Sequence, residues 1–357
     1  MRIGTIYSAS DKSLFDALNQ KNVTNSELRQ LFLTRGILVS PDTSRKALAR
    51  HFARLFHDYH DYQALARLFG SGLSREKTST IRVATNASLK EFESGIFELK
   101  SDLESAGALV KVFRGQGSRL DVEVRYTKVQ FNKSEFRQVT NRVAMISFRS
   151  EDGGIVIDSP YSDEAREWVD AIAKSVRDKG VEKFEFDEIQ LSPGLDAKKK
   201  TSFFTHLINN LPDMPLKDVS DVYVTKPPES NDERELESGN SEIRIDKASL
   251  KGQGVLESQE LALLEKRGFY VSRIIWTAKG KNVDSDIYEF EAQFASPEEC
   301  QDFVYLSRGF YKCLTIGEFS KSRSAFTREE EQKYGAMIEL AARKSLHEVN
   351  RPQHGEI

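Results

Sequence analysis

His57 and His60 stand three residues apart in the run His57-Asp58-Tyr59-His60-Asp61. On a helix that spacing lets two imidazoles share a metal once a third ligand arrives from elsewhere. The chain has only 6 histidines, and a surface helix rich in aromatic and charged residues accounts for the pair without a metal. Carboxylates offer a second chemistry: Asp284, Asp286, Glu289 and Glu291, or Asp121 and Glu123, are the residue types that gather Mg²⁺ in a nuclease. Such sites pair the carboxylates with a nearby lysine, and no lysine follows Glu289, Glu291 or Glu123 at the two-residue spacing of restriction-like nucleases. The sequence holds no Gly-rich loop ending in Lys-Ser or Lys-Thr and no Gly-x-Ser-x-Gly. Gly252-Gln253-Gly254 leads into Val255-Leu256-Glu257, which is not a dinucleotide fingerprint. No catalytic residue, metal ligand or cofactor is therefore assigned, and the reading leans away from an enzyme.

Basic side chains near the N-terminus suggest a different task. Asn25-Ser26-Glu27-Leu28-Arg29-Gln30-Leu31-Phe32-Leu33-Thr34-Arg35-Gly36-Ile37 is followed by Ser40 and then by Arg45-Lys46-Ala47-Leu48-Ala49-Arg50-His51-Phe52. This arrangement resembles the SAP-type helix-extension-helix module, in which a leucine-bearing helix ends at Arg-Gly-Leu and a second helix begins near a basic residue. Ile37 stands where that family has leucine, and residues 40–44 lack the glycine common in its turn. The resemblance spans about 30 residues. It implies DNA binding, with Arg45, Lys46 and Arg50 facing phosphates at the start of the second helix. Arg29, Arg35 and Arg54 extend the candidate nucleic-acid-binding set. A plain helical hairpin with solvated arginines is the competing account.

The elements that must carry these residues are legible in outline. Thr24 or Asn25 is placed to cap a first helix closed by Arg35-Gly36, residues 37–39 read as extended, and residues 40–44 restart a helix bearing Ala47, Leu48, Phe52 and Leu55. A third helical stretch covers residues 59–69, and the polar run to Thr78 suggests a boundary. From Ser79 the period changes, giving strands at 80–84, 108–113, 120–131, 143–148, 154–158 and 183–191 and helices at 88–105 and 162–178. Residues 192–241 read as a connecting region with a short helix at 203–211 and an acidic linker at 229–240. The remainder is expected as a strand at 242–247, a helix at 256–266, strands at 269–278 and 286–294, a helix at 297–306, a strand at 310–316 and a final helix at 328–349. That order is β-α-β-β-α-β, the order of ferredoxin-like folds and RNA-recognition modules. The expected fold is thus α+β: a small basic helical module at 1–78, a mixed α+β domain at 79–191, the connecting region at 192–241, and a ferredoxin-like domain with a terminal helix at 242–357.

Within the last domain Tyr288, Phe290 and Phe294 share one strand face, where they either stack on bases or pack beneath helices. The packing account leaves Glu289, Glu291 and Gln293 outside.

Charge divides the 357 residues unevenly. Residues 1–78 carry 12 Lys or Arg against 7 Asp or Glu, residues 79–150 carry 12 against 8, and residues 151–357 carry 28 against 40, for a net charge of −3. A basic first half attracts phosphate, and an acidic second half suits protein partners. Cys300 and Cys313 are the only cysteines, too few for a disulfide framework. No run reaches the length of a membrane span and the start lacks the apolar core of a secretory signal, so a cytoplasmic protein without membrane contact is expected. The leading expectation is a non-enzymatic nucleic-acid-binding protein, duplex DNA favoured over RNA, whose acidic domains engage protein partners. The alternatives are an adaptor subunit of a larger assembly and the metal-dependent nuclease.

Overall fold

The computed structural model describes residues 10–20, 23–70, 76–115, 118–133, 135–151, 153–181, 183–226 and 246–351. Its contacts divide the chain into two units, one built from residues 1–75, 100–111 and 123–144, the other from residues 76–99, 112–122 and 145–357.

Helices dominate the first unit. They are α1 (Asp11–Leu18), α2 (Asn25–Leu33), α3 (Arg45–Ala53), α4 (Tyr59–Gly70) and, after a long excursion of the chain, α6 (Glu135–Gln138). The first of these lies outside the sequence expectation. Thr24 caps α2 by accepting from Glu27 N while the Glu27 carboxylate accepts from Thr24 N at 2.7 Å, so two orphan donors of the first turn are satisfied reciprocally. Gly36 follows with a φ of +69°, the left-handed backbone that ends a helix at no steric cost. Leu14, Leu18, Leu28, Phe32, Leu48, Phe52, Leu65 and Phe136 form its core, with Phe32 and Phe52 meeting edge to face at 5.2 Å.

The larger unit is a mixed α+β structure built on an antiparallel sheet. Its elements are β1 (Thr78–Thr85), α5 (Leu89–Ser105), β2 (Leu109–Arg114), β3 (Arg119–Val129), β4 (Val139–Glu151), β5 (Gly154–Pro160), α7 (Asp163–Asp178), β6 (Phe184–Glu188), α8 (Ala197–Asn209), β7 (Leu216–Thr225), β8 (Lys247–Lys251), α9 (Gln259–Lys266), β9 (Tyr270–Lys279), β10 (Ile287–Ser296), β11 (Gln301–Tyr311), the small hairpin β12 (Cys313–Thr315) and β13 (Glu318–Phe319), and α10 (Arg328–Asn350). The strand order is β2-β3-β4-β5-β1-β11-β10-β9-β7-β8, with β6 on the far end of β1. The ends of α5, β2, β3 and β4 belong to the first unit.

Alternation divides the helices between the two faces. Ile81, Phe148 and Ile157 are register neighbours on one face, where Phe92 of α5 meets Phe148 at 6.0 Å. Tyr288, Phe290 and Phe294 point to the other face, where Phe203 and Phe204 of α8 and Tyr334 of α10 pack on them. These aromatics are therefore core beneath helices.

Three expectations are corrected. Residues 301–311 form a strand, not a helix over 297–306: Phe303 and Tyr305 face the aromatic core while Val304 lies on the opposite side, a period of two that the polar run Pro297-Glu298-Glu299 obscures in sequence. The described residues from 246 on therefore do not follow the ferredoxin-like element order, and β11 pairs directly with β1 through Thr78↔Tyr305 and Ser79↔Val304. Within residues 192–241, α8 and β7 are core elements, because Phe203, Phe204, Leu207 and Ile208 are fully buried. Of the expected strand at 242–247, residues 242–245 lie outside the described residues, and β8 begins at Lys247. The acidic linker at 229–240 and the polar boundary at 71–75 lie outside the described residues.

Candidate nucleic-acid interface

The helical unit carries all six basic residues that the sequence nominates, and their surroundings separate them into two groups. Three are committed to holding the unit together. Arg29 donates through Nη2 to the carbonyl of Pro41, and Arg45 donates through Nη1 to the carbonyl of Gln20. Arg35 is the most engaged. Its guanidinium donates to Phe56 O at 2.6 Å and to His57 Nδ1 at 2.9 Å, pairs with Asp61 at 2.6 Å, and lies over the Phe52 ring at 4.9 Å. A half-buried guanidinium with four partners closes the loop between α3 and α4 and has little left for a phosphate.

The other three are free. Lys46, Arg50 and Arg54 are exposed, and none forms an ion pair or hydrogen bond among the described residues. Spacing of four places them on one side of α3, Arg54 serving as its helical-backbone C-cap, while Leu48, Ala49, Phe52 and Ala53 bury the other side. At 1.5 Å per residue the stripe is about 12 Å long. The helix begins at Ser44, whose hydroxyl accepts from Ala47 N at 3.3 Å, so one of the orphan N–H groups there is already satisfied. Arg45, expected at the phosphate, ties its Nη1 to the loop that follows α1.

The shared helix that a metal between His57 and His60 would need is not formed. His57 lies before α4, which Asp58 starts by accepting from Asp61 N at 2.8 Å, so the imidazoles do not share a helix. An arginine can only donate and a carbonyl can only accept. His57 therefore takes the proton at Nε2, gives it to Phe52 O at 3.0 Å, and accepts from Arg35 at Nδ1. Burial pushes its pKa below the ordinary histidine value, and the nearby Arg35 charge adds to that against the pull of the Phe52 carbonyl and of Asp61 and Asp58. Both ring nitrogens are occupied in the neutral form.

Three of the carboxylates weighed for a nuclease, Asp286, Glu289 and Glu291, are engaged. Glu289 and Glu291 are not outside the strand in solvent, as the packing account had them: they are 8% and 2% exposed. Glu291 contacts Lys77, Arg273 and Arg308, and Glu289 contacts Arg308 and Arg323 while accepting from Tyr311 Oη at 3.0 Å. Asp286 accepts from Cys313 N at 2.7 Å. A divalent cation would enter a cluster that already holds more positive than negative charge.

One surface feature was not read from sequence. Leu33, Leu38 and Phe56 are exposed apolar side chains of the helical unit, Leu38 at 86% and Phe56 at 100%. The helical period of residues 45–53 stops short of Phe56, and that was the available signal.

No helix among the described residues is long and apolar enough to cross a membrane. No family model matches the chain, and no curated protein matches it.

Proposed function

We propose that the chain binds nucleic acid without catalysing its chemistry, with Lys46, Arg50 and Arg54 of α3 tracking a phosphate backbone and duplex DNA preferred. The reading rests on the division among the six basic residues. Cations without partners on one side of a helix are the electrostatic footprint of a phosphate-binding surface, whereas cations consumed by carbonyls and carboxylates are not. The partial resemblance of residues 25–52 to a SAP-type module points the same way, and the acidic sheet unit then faces protein partners.

The test is binding of the full chain to labelled duplex DNA, single-stranded DNA and RNA over a salt series, with Lys46→Glu, Arg50→Glu and Arg54→Glu combined. Each phosphate contact contributes about 0.9 to the slope of log affinity against log salt for duplex DNA. The triple variant is expected to lose most of its affinity and to flatten that slope by about 2 to 3. Wild-type binding with the same slope in the variant would remove α3 from the interface.

The exposed Leu33, Leu38 and Phe56 favour a second reading, an adaptor that docks a protein on the helical unit. A complex that forms after nuclease treatment and is lost on Phe56→Ser supports it, and one that dissolves with the nucleic acid does not.

A further inference from the structure

Four cations surround two carboxylates on the face of the sheet opposite α8 and α10. Lys77, Arg273, Arg308 and Arg323 are 23%, 27%, 25% and 33% exposed at their side chains, so each reaches solvent while Glu289 and Glu291 lie beneath. With both carboxylates ionised the cluster has two positive charges in excess. Burial favours the neutral acid at Glu291, and Lys77 with the two guanidinium groups overcomes it and holds the carboxyl below its ordinary value.

The carboxylates use only part of each cation. Arg308 spends Nε on Glu289 at 2.6 Å and Nη1 on Glu291 at 2.7 Å, which leaves Nη2. Arg273 approaches Glu291 through Nε at 2.8 Å, and its two Nη groups have no partner among the described residues. Arg323 reaches Glu289 through Nη1, which leaves Nη2. Nε of Arg273, Nε of Arg308 and Oε1 of Glu291 are buried in close ion contact without an aligned hydrogen bond.

The backbone aims these groups. The register between β10 and β11 shifts after Glu289, which faces Gly309, to Phe290, which faces Ser307, so Arg308 is the extra residue of a β-bulge. Bulges redirect a side chain at the cost of one ladder position and recur beside sites. Gly309 makes this possible with a φ of +138°, where an added Cβ would lie 2.2 Å from Ser324 O. The guanidinium carbon of Arg273 lies over the Tyr223 ring, 4.4 Å from its centroid.

We infer that Lys77, Arg273, Arg308 and Arg323 form a binding site for a phosphate dianion. Two excess charges match the dianion, and partner-free Nη groups on three part-exposed arginines match its oxygens in the fork geometry that guanidinium offers and ammonium does not. The dianion is either free phosphate, a nucleotide phosphate or the terminal phosphate of a strand. The site is separate from α3 and stands or falls independently of it.

Titration of the full-length protein with inorganic phosphate, followed by calorimetry at constant ionic strength, is expected to give saturable binding with Kd about 1 mM or tighter. Parallel titrations use a nucleoside 5′-monophosphate and an oligonucleotide with and without its 5′-phosphate. Tighter binding of the monophosphate, or of the phosphorylated strand over its unphosphorylated twin, identifies the source, and equal affinity for all phosphate monoesters identifies the bare group. Arg273→Gln is expected to weaken binding about tenfold, the loss of one charge-assisted contact. Glu289→Gln, which retains shape and frees Arg308 and Arg323, is expected to tighten binding several-fold. Absence of saturable phosphate binding by the wild type overturns the inference, as does unchanged affinity in a folded Glu289→Gln protein, the outcome of a purely structural cluster.

Discussion

The guanidinium of Arg82 on β1 grips the carboxylate of Glu339 on α10 at both ends, Nε to Oε1 at 2.9 Å and Nη2 to Oε2 at 3.0 Å. Glu339 is almost fully buried, and Arg343, one turn on, contacts the same carboxylate and reaches Asp187 of β6 at 2.6 Å. Residues 257 positions apart thus fix the last helix across the centre of the sheet.

Removing one member of a buried pair leaves the other desolvated and uncompensated, which costs about 3 to 5 kcal/mol when both are inside. Arg82 is a third exposed, so Arg82→Ala is expected to cost less, about 2 kcal/mol, and Glu339→Ala about 2 to 3 kcal/mol. The midpoint of urea unfolding measures both. Equal stability of either variant and wild type would show that the contact contributes nothing.

Charge removal on α3 is expected to separate binding from folding. Lys46→Ala, Arg50→Ala and Arg54→Ala touch no partner among the described residues and are each expected to change stability by less than about 0.5 kcal/mol while weakening nucleic-acid binding. Arg35→Ala, by contrast, forfeits an ion pair, two hydrogen bonds and a ring contact, and is expected to cost about 2 kcal/mol. Thermal melts run beside binding curves distinguish the two patterns.

Acid is expected to loosen the helical unit through His57. Its pKa is lowered by folding, so the folded state takes up the proton less readily than the unfolded chain. The stabilisation is therefore complete above the unfolded value near 6.5 and is lost as pH falls through it towards the lower folded value. Protonation at Nδ1 removes the acceptor for Arg35 and places two cations side by side. Melting temperature followed from pH 7.5 down to 5 is expected to fall more steeply in the wild type than in His57→Gln, and parallel curves would reject the role of His57.

Gly154 opens β5 opposite Ala84, and a Cβ there would lie 1.9 Å from the carbonyl oxygen of Val83. Backbone cannot yield as a flexible side chain can, so Gly154→Ala is expected to cost about 3 kcal/mol. Gly153→Ala meets no atom within 4 Å but must keep a φ of +92°, and is expected to cost about 1 to 2 kcal/mol. Reversal of that order in urea unfolding would contradict the close approach.

Local signals foretold most elements. The capping box at Thr24 and Glu27, the Gly36 stop, the Ser44 and Ser162 caps and the apolar stripe of α7 are short-range features, and each stands where its residues indicate. The failures have a common cause. Residues 297–306 mix a charged turn with the start of a strand, and their period emerges only once β10 and β1 pair on either side. Residues 203–208 read as a short helix in a connector because their burial depends on Phe294 and Phe303, which lie about 90 to 100 residues away in the chain.

By itself the sequence determined the helical and strand propensities, the capping chemistry, the basic start and the acidic remainder, because these depend on neighbours within a few residues. Tertiary structure decided which charges remain available. Arg29, Arg35 and Arg45 are consumed by carbonyls and a carboxylate brought close by folding, Lys46, Arg50 and Arg54 are left in water, and Glu289 and Glu291 are drawn under four cations from the residue before β1, β9, the bulge of β11 and the loop after β13. A charge's partners are set by distance in space, and spacing along the chain does not encode that distance.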